Sequence, residues 1–348
     1  MKTVCAALIV KNEGKILARC LRSIKAHIDY WVIIDTGSTD DTKEVIRREL
    51  SGVRGELYER PWINFGHNRS ELMGMAKGKS NYILLIDADM VLNVSDSSFR
   101  SRLFLDSYLI KYEGKVDYKQ KMLVNGRHDW VYTGVTHEYV HSDSDKRSEY
   151  FNEISLTHFC DGDRHGRKLQ EDIQLLEAGL TFDPENARYM FYLANSYRDL
   201  KMFDKAIEFY DKRVTKEGWD QEIYYSLYQK AICLARSQKA FPIVEFLIAN
   251  RQRSSRLEAL YEVVRSFRLN SFFREGYELG KNSLELPYPS DTLFVDKEIH
   301  EWKFYDEFSI CAFYAGDKAA AKRCIDLAMA KCGETDRKRI EKNSSFLN

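Results

Sequence analysis

Proline is scarce in this chain of 348 residues, at 5, and glycine numbers only 18. That composition argues against a collagen-like or Pro/Gly-rich disordered chain. There is no net charge: 53 Lys and Arg balance 53 Asp and Glu, in both halves of the chain. Without a polybasic body, non-specific nucleic-acid binding is not the expected role. Nor does any apolar run reach the ~18 residues of a membrane-spanning helix; the densest stretches, 31–34 and 82–86, are strand-sized. The apolar run near the N-terminus gives way to Lys11 and Glu13 with no small-residue cleavage site, so no signal peptide is expected. The seven cysteines form no CxxC pair. They are neither a disulfide framework nor a zinc site, and read as small core residues of a protein in the reducing cytoplasm.

The chain does have the means to build two cores, being 44% hydrophobic and long enough for two domains at roughly 150 residues each. Residues 4–10 read as a buried strand. After Gly14, Ile16, Leu17, Leu21, Ile24 and Ile28 fall at helical spacing. The second apolar run stops at Asp35-Thr36-Gly37-Ser38-Thr39-Asp40, where Thr39 or Asp40 can cap a helix through Val45 to Leu50. Leu57 and Tyr58 suggest a third strand, 68–77 a helix stopped by Gly78, and 82–86 a buried strand ending in Asp87-Ala88-Asp89. Strand and helix alternate, which predicts an α/β fold with a mostly parallel sheet. Ligands of such sheets sit beyond the carboxyl ends of the strands, where Asp35 and Asp87 stand. Residues 100–165 read as antiparallel strands and loops completing the same domain.

From about residue 167 glycine thins out and helical periodicity dominates. The stretch Tyr192-Leu193-Ala194-Asn195-Ser196-Tyr197, a short turn, then Phe203-Asp204-Lys205-Ala206-Ile207-Glu208-Phe209-Tyr210 resembles a tetratricopeptide repeat, with small Ala194 and Ala206 where two helices approach. Weaker echoes turn near 272 and 315, and a divergent unit is expected near 239–247. The fold class is therefore α/β followed by an all-α, TPR-like half. The polar segment 161–168 marks the junction, giving domains 1–165 and 166–348. Arg251, Arg253 and Arg256 read as a solvated basic face. Trp302, Tyr305, Asp306 and Glu307, with Tyr224, Tyr225 and Tyr228, read either as an acceptor groove or as helical core.

Two carboxylates one residue apart, after a buried strand, can face a divalent ion held against a diphosphate. Around Asp87-Ala88-Asp89 stands an ordered set: Leu8-Ile9-Val10-Lys11-Asn12-Glu13, Leu21-Arg22-Ser23-Ile24, Ile33-Ile34-Asp35-Thr36-Gly37-Ser38, and Asn68-Arg69 before Ala76-Lys77-Gly78. This set resembles the nucleotide-sugar-dependent family 2 glycosyltransferases of the GT-A fold. The helical half is similar to the repeat region of one branch that includes peptide S-glycosyltransferases of bacteriocin pathways.

The resemblance implies a metal-dependent, inverting transfer of a sugar from a UDP-sugar to a peptide, protein or glycan acceptor. Val10, Asn12, Glu13 and Asp35 would hold the nucleoside. Many members read Asp-Asp-Gly-Ser where this chain has Asp35-Thr36-Gly37-Ser38, so either Asp35 or Thr36 makes the base contact. Asn68 and Arg69 would lie near the diphosphate and sugar, Asp87 would contact ribose or sugar, and Asp89 would bind Mn²⁺ or Mg²⁺. An inverting transfer needs a base to take the acceptor proton. In Trp130-Val131-Tyr132-Thr133-Gly134-Val135-Thr136-His137-Glu138 the base is Glu138, with His137 as runner-up. His158 is either a further metal ligand or a structural histidine. Asp161, Arg164 and Lys168 form either a lid over the diphosphate or a solvated junction. A nucleotidyltransferase would want a Gly-rich basic loop where this chain has Val10-Lys11-Asn12-Glu13-Gly14. The alternative is a non-catalytic partner-binding protein with a relic α/β half. Helical repeats hold peptides or partner subunits, so a homodimer through that half is a second use for it.

Overall fold

The computed structural model describes the chain except residues 115, 160, 162–164, 238–240 and 345–348, and the side chains of 116, 117 and 165–168. Arg164 and the side chain of Lys168 therefore lie outside the described residues. Among those described, no helix is long and apolar enough to cross a membrane. The chain divides into two compact units. One comprises Met1–Gly114 and Tyr118–Pro184, and the other runs from Glu185.

The first unit is α/β. Strands β1 (Val4–Val10), β2 (Tyr30–Asp35), β3 (Arg54–Glu59) and β4 (Tyr82–Leu85) alternate with helices α1 (Gly14–Lys25), α2 (Thr42–Glu49) and α3 (Phe65–Ala76). They are followed by β5 (Met90–Val94), β6 (Ser107–Tyr112), β7 (Val116–Asn125) and β10 (Ser148–His158), with a separate ribbon of β8 (Val131–Thr133) and β9 (Tyr139–His141) between β7 and β10. The main sheet runs β3-β2-β1-β4-β7-β6-β10-β5. Its first four strands are mutually parallel, β6 and β10 are also parallel, and the remaining pairings are antiparallel. A near-continuous apolar run makes β1 a central strand with parallel neighbours on both edges. Helix α1 buries Leu17, Cys20, Leu21 and Ile24, its one apolar stripe.

Register then decides where the site lies. Val10 pairs with Asp35 across β1 and β2, Ala7 pairs with Leu85 across β1 and β4, and the amide of Ile86 donates to Ala7 O. The carboxyl ends of the three strands thus finish at one edge. There the chain leaves β1 for β2 on one side and later passes from β3 to β4 on the other, a topological switch point. Helix α4 (His165–Phe182) lies within this first unit, which ends at Pro184. Its Asp172 is buried and bonded to Thr136.

The second unit is helical apart from the two-residue strand Val295–Asp296. Its helices pair as α5 (Ala187–Asp199) with α6 (Phe203–Val214), α7 (Asp220–Ser237) with α8 (Ile243–Gln252), α9 (Glu258–Leu269) with α10 (Phe273–Gly280), and α11 (Phe304–Tyr314) with α12 (Lys318–Lys331), before a final α13 (Glu334–Ser344). Three of the turns share one construction. Lys201, Ser271 and Gly316 adopt positive φ of 60, 63 and 93°. The amides that follow, on Met202, Phe272 and Asp317, reach back to Tyr197 O, Phe267 O and Ala312 O. This is the left-handed helix stop that ties off orphan carbonyls. Ala194 and Ala206 are fully buried, where α5 and α6 pack.

Of the basic face expected at Arg251, Arg253 and Arg256, Arg251 is exposed as expected and the other two are not. Arg256 is fully buried, bonded to Glu258, Asp291 and the carbonyls of Leu293 and Phe294, and Arg253 pairs with Asp291 and Asp220. Asp291 and Asp220, far off in the sequence, draw Arg253 and Arg256 out of the apparent surface cluster. Tyr224 is likewise core, fully buried, whereas Trp302, Asp306 and Glu307 line a cavity of about 490 Å³ with Arg265, Arg268 and Arg339.

Candidate active site

The loops after β1 and β2 are laced together. The side chain of Asn12, itself at φ 55°, accepts from the Thr39 amide at 2.8 Å, while the Asn12 amide donates to Ser38 Oγ at 2.9 Å. The Glu13 amide donates to Thr42 Oγ1 at 2.8 Å. Val10 O accepts both the Thr36 amide, at 2.9 Å, and the Thr36 hydroxyl, at 3.2 Å. Val10, Asn12 and Glu13 thereby meet Asp35 in one cluster. Thr36 has its hydroxyl engaged by its own chain.

Asp35 differs from its neighbours. It is 0% exposed, and its Oδ1 accepts the amides of Gly37 and Ser38 at 2.8 and 2.7 Å. Its Oδ2 is buried and meets no hydrogen-bond donor among the described residues. A buried carboxylate oxygen left unsatisfied costs on the order of 1–3 kcal/mol or more. An incoming N–H or O–H would remove that cost.

Across β1, the turn between β4 and β5 carries Asp87 and Asp89. The Met90 amide closes it on Asp87 O at 3.1 Å. Asp89 Oδ2 lies 2.9 Å from His158 Nε2, at the end of β10, and the Phe159 amide donates to Asp89 O at 3.0 Å. Antiparallel pairing of Met90 with His158 sets this meeting. Arg19 of α1 grips the chain just beyond, with both terminal nitrogens on Asp161 at 2.8 and 2.6 Å and its guanidinium 3.9 Å from the Phe159 ring centroid. Asp161 is thus paired with α1 while remaining exposed. Beside it on α1, burial pushes the Cys20 thiol well up, and Cys20 Sγ donates to Asp87 O.

The third part comes from α3 and the β8–β9 ribbon. Asn68 is fully buried and occupied by the preceding loop: it accepts from the Ile63 amide at 3.0 Å and donates to Pro61 O at 2.9 Å. The next residue, Arg69, reaches the site. It donates to Asp87 Oδ1 at 2.5 Å, and its Nε lies 2.6 Å from Glu138 Oε1. Burial opposes the charge on Arg69, but Asp87 and Glu138 outweigh it and hold the guanidinium firmly protonated. Ser70 bonds both the amide and the carbonyl of Tyr132. A Cβ on Gly66 would stand 2.2 Å from Gly134 O, so α3 and the ribbon touch backbone to backbone. His137, at φ 49°, faces α4 with Nε2 3.6 Å from Asp172 Oδ2.

The structure therefore brings Asp87 and Glu138 together through Arg69, and Asp89 and His158 directly. Sequence reasoning named Arg69 only as Asn68's companion and missed its bridging of two acids. It missed Asp172 and Arg19 entirely. Each acts across a long sequence separation for which no local pattern exists.

Comparison with known proteins agrees with this geometry. The sequence profile of Glycosyl transferase family 2 matches residues 5–96. The SPbeta prophage-derived glycosyltransferase SunS of Bacillus subtilis (strain 168) is 26% identical over 236 residues, 61% of this chain and 53% of SunS. An uncharacterized glycosyltransferase of Rickettsia felis is 26% identical over 129 residues, 37% of this chain and 42% of that protein. A TPR repeat-containing protein of Synechococcus elongatus is 32% identical over 90 residues, 26% of this chain and 21% of its own. The chain spans about half the length of SunS. Residues 5–96 of this chain thus carry a glycosyl transferase family 2 domain, and the chain is a homologue of SunS over 236 residues.

Proposed function

We propose that this chain is a metal-dependent, inverting glycosyltransferase that moves a sugar from a UDP-sugar to a peptide, protein or glycan acceptor. The observation that carries the reading is the buried, unpartnered Oδ2 of Asp35 at the switch point of the sheet. Such an oxygen suits the N3–H of uracil or a ribose hydroxyl. It favours Asp35 over Thr36 for the base contact, since the Thr36 hydroxyl is already engaged.

Asp89 and His158 supply a carboxylate oxygen and an imidazole nitrogen 2.9 Å apart. That pair suits Mn²⁺ or Mg²⁺, the imidazole favouring Mn²⁺. Among the described residues no group of three or more His, Cys, Asp or Glu gathers to hold an ion, so the remaining ligands would come from the diphosphate and water. When bound, the ion would neutralise charge on the departing diphosphate. Asp87, fixed by Arg69, would orient ribose or sugar. Glu138 would accept the acceptor's proton, Arg69 holding its carboxylate in place. His137, held against α4, is the second reading for the base.

A peptide acceptor is supported by the helical unit's cavity, where Trp302 and Tyr261 stand with charged Arg265 and Glu307. Association through the same unit is checked by light scattering. The six described cysteines are all free, which suits the cytoplasm.

A thermal-shift screen of UDP-sugars with and without Mn²⁺ tests the proposal, because a ligand that binds only the native state raises its melting point. The expected result is a shift with one UDP-sugar that grows with Mn²⁺. No shift with any UDP-sugar, while the helical unit still captures a peptide, favours the partner-binding alternative.

A further inference from the structure

We infer that Asp172, on α4, is a positioning residue for the loop that carries the base, an inference that rests on the glycosyltransferase reading above. The loop from Gly134 to Glu138 is conformationally expensive. Two of its five residues adopt positive φ, Gly134 at 119° and His137 at 49°, and the second is a non-glycine residue in a region that L-residues avoid. Such a conformation persists only where the surroundings hold it.

Besides the Arg69–Glu138 pair, two contacts hold the loop from α3. The Phe65 amide donates to Val135 O at 3.3 Å, and Gly66 lies against Gly134. Neither touches Thr136 or His137, the residues directly before Glu138. That hold comes from Asp172. Its Oδ1 accepts the Thr136 hydroxyl at 2.8 Å, and its Oδ2 stands 3.6 Å from His137 Nε2. Asp172 and Thr136 are 2% and 4% exposed, so this hydrogen bond to a charged acceptor works away from water, where such bonds are strong. One carboxylate therefore bonds Thr136 and stands beside His137, and the next side chain, Glu138, is the one paired with Arg69. Asp35, Asp87, Asp89 and His158, the groups assigned to the donor, lie on other elements than Asp172. Its role is to fix the angle at which Glu138, or His137, meets the acceptor.

The role separates from a merely structural one because it affects turnover without affecting donor affinity. A misplacement of about 1 Å in a catalytic group can cost on the order of 100-fold in rate. The test uses the full chain, with the UDP-sugar that the wild type hydrolyses fastest in Mn²⁺ and water as acceptor. Three proteins are compared: wild type, Asp172→Asn, which keeps the shape and removes the charge, and Thr136→Val, which keeps the branch and removes the hydroxyl. Asp172→Asn is expected to lower kcat tenfold or more and Thr136→Val severalfold. For both, donor KM and the affinity for UDP with Mn²⁺, from calorimetry, should stay within twofold of wild type. Wild-type kcat in both variants, or equal losses of kcat and of UDP affinity, overturns the inference and leaves the sugar-transfer reading standing. A wild type that binds and hydrolyses no UDP-sugar overturns that reading, and the inference with it.

Discussion

Replacing Arg69 with methionine removes the cation between two acids while keeping most of the volume. Arg69 is 12% exposed, Glu138 10% and Asp87 33%. Breaking a buried ion pair by deleting one partner costs ~3–5 kcal/mol, because the other charge is left uncompensated. The Asp87 arm is one-third exposed and screened by water, so it adds little. We therefore place Arg69→Met near the lower bound, about 3 kcal/mol. In a unit of this size each kcal/mol moves the melting point by ~2–4 °C, which predicts a loss of about 6–12 °C. Calorimetric scans of the full chain, with UDP added to identify the transition of the first unit, measure it. The stronger test is a double-mutant cycle with Glu138→Gln. If Arg69 is needed chiefly to compensate Glu138, the double variant is less destabilised than the sum of the singles by ~1–3 kcal/mol. Additive losses, or a melting point for Arg69→Met within ~2 °C of wild type, refute the claim that Arg69 and Glu138 act as a unit.

Other outcomes follow from the same structure. Lys201→Gly and Ser271→Gly relieve left-handed strain and should each stabilise the helical unit by ~0.5–1 kcal/mol, while Gly316→Ala destabilises it by a similar amount; urea melts read all three. Gly66→Ala places a methyl against Gly134 O, so it should depress UDP-sugar hydrolysis at least tenfold by pushing the base loop away, while UDP binding persists. Arg19→Ala breaks an ion pair whose partners are 33% and 43% exposed, so stability should change by less than ~1 kcal/mol, whereas Mn²⁺ affinity, read by electron paramagnetic resonance, falls as His158 loosens. Burial opposes the charge of Glu258, but bonds to His300 and Arg256 overcome it and hold the carboxyl down at about 2. Its folded value lies below the unfolded one, so its stabilisation is complete above about pH 4.5 and is lost as pH falls toward 2. Glu258→Gln should flatten the acid limb of the helical unit's circular-dichroism stability curve.

Much of the first unit could be read from the sequence because its signals are local. The apolar runs of β1, β2 and β4 are central-strand runs, and the acids that end two of them, Asp35 and Asp87, come to one edge because parallel register leaves no other arrangement. At the edge of the sheet formed by β6, β10 and β5, strands completing the domain were legible but their pairing, parallel between β6 and β10, was not. These strands mix polar and apolar residues, and their pairing joins segments as distant as Met90 and His158. The helical turns at 202, 272 and 315 were visible as breaks in periodicity, but their shared left-handed residue was not, because Lys201 and Ser271 are not glycine. Helix α4 read as the start of the repeats from its periodicity alone; Asp172 and Thr136, 36 positions apart, assign it to the first unit. Arg256 shows the same limit, since its partners Asp291 and Leu293 lie far along the chain.

Isothermal titration of UDP with Mn²⁺ into the full chain and its Asp35→Ala variant tests the central claim most directly, because it isolates the unpartnered carboxylate oxygen from all later chemistry. A hydrogen bond to a charged group contributes ~1.5–3 kcal/mol, so the wild type should bind UDP at least about tenfold more tightly than the variant. Equal affinities in the two proteins, or no binding by either, contradict the account.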